Sequence, residues 1–135
     1  MASALYNKAK ESFLSQNPSI DMDTDTIKVA LINVATDYTF SASHQYMSSV
    51  TTYSGTTDQT LASKTVTNGV FDAADSTFTA VAISGSKTVA ALVIYKDTGV
   101  AATSPLIAYI DGFTAVTPNG GNIAIAWNAS GIFAL

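Results

Sequence analysis

The chain has 135 residues, a net charge of −4, no Cys and no Arg. Without Cys it forms no disulfide and no zinc–thiolate site, and without Arg or a basic patch it lacks the groups that grip nucleic acid, so no nucleic-acid partner is expected. Hydrophobic residues make up 47% and charged residues only 12%, about half of ordinary usage, which predicts one folded domain over residues 1–135 with a surface of Thr, Ser and Ala. A surface of that kind suits both a large protein contact and an ordinary sandwich exterior.

The first 16 residues form an N-terminal helix or arm. Ser3 is placed to cap a helix over Ala4–Ser15, with Leu5, Ala9 and Phe13 on one stripe, and Asn17-Pro18 ends it. Such a helix packs on its own sheet or reaches a neighbouring subunit. The opening MASALYNKAKESF lacks the basic start and apolar centre of a signal peptide, so synthesis and folding in a cytoplasm are expected. No apolar run is long enough to span a membrane, and none is expected as a partner.

Asp21, Asp23 and Asp25 alternate in DMDTDT, like the start of a calcium loop. That loop requires Gly at its sixth position and a carboxylate at its twelfth, where this chain has Thr26 and Ile32. The acids are therefore read as a solvated entry to a strand. Thr26–Val34 is that strand, with Ile27, Val29 and Leu31 on one face. Ser41–Val50 reads as a helical turn capped by Ser43, and Thr51–Lys64 as a long exposed loop.

Asn68-Gly69 lies between KTVT and VFDA, a strong hairpin signal because both residues tolerate positive φ. Thr77–Ile83 is the next predicted strand, and Gly85-Ser86 is expected to fold it back onto Lys87–Tyr95. Val89–Tyr95 is apolar throughout, short and β-branched, and so reads as a strand buried on both faces. Pro105 opens a strand over Leu106–Ile110, where its missing N–H does least harm. After the turn Pro118-Asn119-Gly120-Gly121, Ile123–Trp127 alternates large and small residues, which places Trp127 in the core. Asn128–Gly131 turns again and Ile132–Leu135 closes the chain as an apolar strand. Short strands punctuated by turns predict an all-β fold, an antiparallel sandwich of the jelly-roll type with a short N-terminal helix.

Catalytic chemistry is short of tools, and the protein is not expected to be an enzyme. His44 is the single histidine, and its neighbour Ser43 sits on no strained glycine-flanked nucleophile turn. Asp72 and Asp75 read as turn residues rather than an acid–base pair, and SGS and NGG lack the lysine and helix of a phosphate loop. Asn128-Ala129-Ser130 matches a glycosylation acceptor but reads more simply as a turn. No cofactor and no metal are expected.

The segments ALYNKAKESFLS, DTDTIKVALINVATDYTFSASHQYM, KTVTNGVFDAAD, ALVIYKDTGVAATSPLIAYID and VTPNGGNIAIAW together resemble a family of small virion structural proteins of tailed bacteriophages. The likeness covers most of the chain and is nearest to the capsid cement, or decoration, protein of a short-tailed phage. It implies a protein on the outside of the icosahedral capsid that stabilises the shell by clamping neighbouring major capsid subunits. It also implies self-association as a homotrimer or homodimer. The alternative is a tail or fibre-associated adhesin that binds a host surface glycan through loop aromatics, for which Tyr46, Tyr53 and Phe113 are available. Under the cement reading the two chain ends are the expected clamps, as neither is required to complete a sandwich built around Val89–Trp127. The candidate contact residues are Leu5, Tyr6, Ala9, Phe13, Ile132, Phe133 and Leu135.

Overall fold

The structure, a computed structural model, describes residues 3–135. The chain forms an antiparallel β-sandwich with one short helix, as the turn signals predict. Its frame is a five-stranded sheet in the order β1 (Ala4–Leu5), β8 (Leu106–Ile110), β7 (Ala91–Lys96), β2 (Ile27–Ile32) and β3 (Gln59–Thr60). Two smaller sheets complete the fold. One joins β10 (Phe133–Ala134), β5 (Val70–Asp72) and β4 (Thr65–Thr67), and the other joins β6 (Ser76–Phe78) to β9 (Ile123–Ile125). Sequence-distant strands lie side by side, β1 against β8 and β2 against β7, unlike a simple up-and-down meander.

The large sheet is apolar on both faces. Ile27, Val29, Leu31, Leu92 and Ile94 face a core shared with Phe71, Phe78, Val81 and Ile123 from the smaller sheets and their connections. Ala30, Ile32, Ala91, Val93 and Tyr95 face the opposite way, onto Tyr6, Ala9, Tyr38 and Met47. Burial on both faces is what an uninterrupted apolar run such as Ala91–Tyr95 requires. In β8 the alternation is broken. Tyr95 pairs with Leu106 while Ile94 pairs with Ala108, so Ile107 is an extra residue, a β-bulge. It lets Ile107 and Ala108 both join the front core while Leu106 and Tyr109 join the back one.

The N-terminal expectation is corrected. The helix, α1, spans Asn7–Ser15, and Ala4–Leu5 is already a strand on β8. Ser3 makes no cap; its Oγ accepts the Asp111 N–H at 3.3 Å. The buried helix face is therefore Tyr6, Ala9 and Ser12 rather than Leu5, Ala9 and Phe13, and the Ser12 hydroxyl is satisfied by donating to the Lys8 carbonyl. Among the described residues, the back core is covered by Tyr6, α1 and the segment from Tyr38 to Val50, so the N-terminal helix is part of the sandwich rather than an appendage to it.

Other boundaries move too. The Ser43 cap is absent, and the helical turn is a 3-10 turn at Met47–Ser49. Thr51–Lys64 is not simply an exposed loop. Tyr53 is buried, its N–H donates to the Leu31 carbonyl and its hydroxyl to the Ala82 carbonyl, and β3 pairs with β2. Gly55 permits that close crossing, since a Cβ there would lie 2.5 Å from the Ala82 oxygen. The predicted Thr77–Ile83 strand stops at Phe78, and β6 pairs with β9 rather than folding back onto β7. Ala80 takes a positive φ of 49°, and Val81 then exchanges hydrogen bonds with Gly120 and Gly121. Trp127 lies beyond β9 and is half-buried, because the two-stranded sheet leaves that end uncovered. The Asn68-Gly69 hairpin forms as expected, with φ of 52° and 78°. Among the described residues, no helix is long and apolar enough to cross a membrane.

Replacing Tyr6, which has no exposed surface, with Ala should cost about 3–5 kcal/mol in urea denaturation, whereas Leu14→Ala, at a 90%-exposed position, should stay within about 0.5 kcal/mol. A chain lacking residues 1–16 should lose cooperative unfolding; a sharp two-state transition in it would show that the back face needs no helix.

Candidate functional site

The two chain ends meet. The Phe13 ring of α1 lies 6.4 Å from the Phe133 ring of β10, and Phe133 lies 5.4 Å from Phe71 of β5. The register explains why. A two-residue turn at Asn68-Gly69 sets Val66 opposite Phe71, and β10 then sets Phe133 opposite Phe71 on the other side. Phe133, Phe71 and Val66 form an in-register row across the small sheet, on the face that alternation turns toward α1. Phe71 in the middle is buried, but Val66 at the outer edge is 51% exposed.

Where this row emerges from the core it floors a groove of about 370 Å³, lined also by Phe13, Ile20 and Leu135, with Asp21 and Asp23 beside them. Leu135 is 70% exposed. A second groove of about 290 Å³ lies between the open edges of β1 and β10 and is lined by Leu5, Ile132 and Phe133. Of the seven expected contact residues, Phe13, Phe133 and Leu135 thus share one groove, and Leu5 and Ile132 share its neighbour. Tyr6 and Ala9 are corrected: both are buried beneath the large sheet and offer a neighbour no surface. Val66 and Ile20 escaped the sequence reading, and Asp21 entered it only as part of a solvated strand entry; counting back across Asn68-Gly69 would have paired Val66 with Phe71.

Of the three aspartates expected as a solvated entry to a strand, Asp21 and Asp23 are exposed, whereas Asp25 is half-buried and tied down. It pairs with Lys96 at 2.9 Å and accepts the Asp21 N–H, and its carbonyl accepts from Lys64. Among the described residues no group of three or more His, Cys, Asp or Glu is arranged to hold a metal ion. Asp75 accepts the Trp127 N–H and Asp72 the Ala73 N–H, so both secure local backbone.

His44 has a neighbourhood that the sequence did not disclose. Its Nδ1 lies 2.8 Å from the Tyr38 hydroxyl, which lies 2.9 Å from the hydroxyl of buried Tyr6. Ser43 takes no part, bonding instead to Ser41. The chain of three ties the 38–44 segment to α1, and burial drives the Tyr6 hydroxyl well above the ordinary tyrosine range, so it stays protonated. Of the loop aromatics offered for glycan binding, Tyr53 is buried and Tyr46 half-buried, leaving Phe113 as the most open.

A third cluster lies at the far end of the back face. Tyr95 donates to Asp58, while Lys28 pairs with Asp97 at 2.9 Å. Burial raises the Asp58 carboxyl above the usual carboxylate range, against the pull of Tyr95 and Lys28. The Lys28 hydrogen bond and the Gly99 N–H hold Asp97 below it. Because the Asp58 value is raised on folding, the folded chain favours the protonated acid, and stability from this group falls as pH rises through that raised value. Asp58→Asn, which keeps an oxygen for Tyr95, should match the wild type near pH 3 and become progressively more stable than it as pH rises to 7. Denaturation midpoints across that range test this, and a gap that shrinks with rising pH would reverse the assignment.

Comparison with protein-family models and with curated protein sequences gives no match for this chain.

Proposed function

We propose that the protein is a virion structural protein of a tailed bacteriophage, a capsid cement protein that binds the outside of the icosahedral shell and clamps adjacent major capsid subunits. The observation that carries this reading is the pair of adjoining grooves built by the two chain ends, with Val66 and Leu135 exposed at one of them. They sit on a chain whose few charges leave little to desolvate on contact. A cement protein requires stiffness and a repeated interface, and no reaction. A sheet buried on both faces supplies the stiffness. At about 25 cal/mol per Å² of apolar surface, a contact of about 800 Å² per partner, repeated over a shell, is a large total against internal pressure. Association as a homodimer or homotrimer would bring several grooves to one point on the shell.

The test is to add purified protein to assembled shells lacking it and locate it by electron microscopy. Regular density over the icosahedral surface, with DNA retained to higher temperature than in bare particles, is the expected result. Protein found only on tails or fibres would instead favour the glycan-binding adhesin.

A further inference from the structure

The groove where the ends meet has two chemically distinct parts. Its floor is apolar: Phe13, Phe71, Phe133, Val66 and Leu135. Its side carries Asp21 and Asp23, both exposed. Of the six lysines, four are paired with other carboxylates. Lys96 is committed to Asp25, Lys28 to Asp97, Lys87 to Asp37 and Lys8 to Glu11. Lys64 donates to the Asp25 carbonyl and acts on Asp23 only through space. Among the described residues, neither Asp21 nor Asp23 makes an ion pair within 4.0 Å. A hydrogen bond between the two carboxyls, and after it their mutual repulsion, raises Asp23 above the usual range, and the same hydrogen bond lowers Asp21. A cation beside the pair would take the place of the shared proton. The groove is also bounded by β4, an edge strand that has no strand neighbour on its outer side among the described residues and along which an extended chain can lie.

We propose that this groove seats an extended segment of a shell subunit carrying one apolar side chain with a lysine or arginine two positions away, on the same face of the strand. The apolar side chain continues the Phe133–Phe71–Val66 row by one strand, and the cation lies against Asp21 and Asp23. The proposal rests on the capsid reading and adds the chemistry of the partner to it. The apolar contact supplies affinity, and the acidic side selects the segment and its direction.

Titration of the isotope-labelled full chain with a synthetic peptide, Gly-Lys-Thr-Leu-Thr-Lys-Gly, followed by amide chemical shifts, tests it. Shifts are expected at Val66, Gly69, Phe71 and Leu135, and the same peptide with both lysines replaced by Glu should bind at least threefold more weakly. The double variant Asp21→Asn/Asp23→Asn, at exposed positions and with its fold verified by the same spectra, should weaken the basic peptide by about three- to tenfold and remove most of its salt dependence. Equal binding of both peptides, shifts confined to other surfaces, or a response of these amides to calcium chloride but not to the basic peptide would overturn it. Shell binding separates this proposal from the one beneath it. A double variant that decorates shells as well as the wild type sinks the groove's partner and leaves the capsid reading standing, whereas wild-type protein that binds the peptide but no shell sinks the capsid reading.

Discussion

A sheet that is apolar on both faces has to be covered twice, and the architecture follows from that constraint. Val93 and Ala91 of β7 point to one side while Leu92 and Ile94 point to the other, and none of them reaches solvent. The front cover is sheet-like, made by the small β sheets. The back cover is a helix of nine residues and an irregular segment pinned by the Tyr6–Tyr38–His44 hydrogen bonds. Hydroxyls serve here because the back cover lacks a strand ladder of its own, and a buried hydroxyl without a partner would be costly. The N-terminal arm is therefore structural first, and only its outer end is left for contact with anything else.

That division shows where local signals suffice. The β7 strand, the Asn68-Gly69 hairpin and the proline before β8 are specified by residues within a few positions of each other, and they are legible in the sequence. The interleaving of sequence-distant strands leaves no local trace. Thr77–Ile83 alternates well enough to be a strand on its own, but Val81 is drawn to Gly120 and Gly121, some 40 positions on. Likewise Leu5 fits a helical stripe by spacing, yet pairing with Ala108 in β8 outweighs helix propensity at a chain end. The candidate site was half-legible for the same reason. Its terminal residues could be chosen as apolar ends, but that Phe13 and Phe133 meet across Phe71 depends on tertiary register.

The groove and the acid clusters also differ in kind. Asp58, Asp97 and Lys28 share partners within the chain and serve to hold β2, β7 and the 51–60 segment together. Asp21 and Asp23 hold little beyond their own turn. Charges committed only to their own turn while bordering an open apolar floor are available for recognition, which is why the proposed partner is defined by this border rather than by the grooves' size.

The bulge at Ile107 has a consequence for how β8 tolerates change in length. Side chains upstream and downstream of it are out of phase by one position, so Leu106 and Tyr109 share a face only because the extra residue lies between them. Deleting Ile107 would therefore leave Leu106 and Tyr109 two apart and still on the back face, with Ala108 forward, by plain alternation; the strand would straighten and only the front core would lose a side chain. A deletion elsewhere in β8 has no such extra residue to remove and would exchange the faces of every side chain on one side of it. A relative of this chain lacking that one residue would keep the same order of large and small side chains on both sides of the gap, and a single-residue gap at this place would mark the bulge in an alignment without any coordinates.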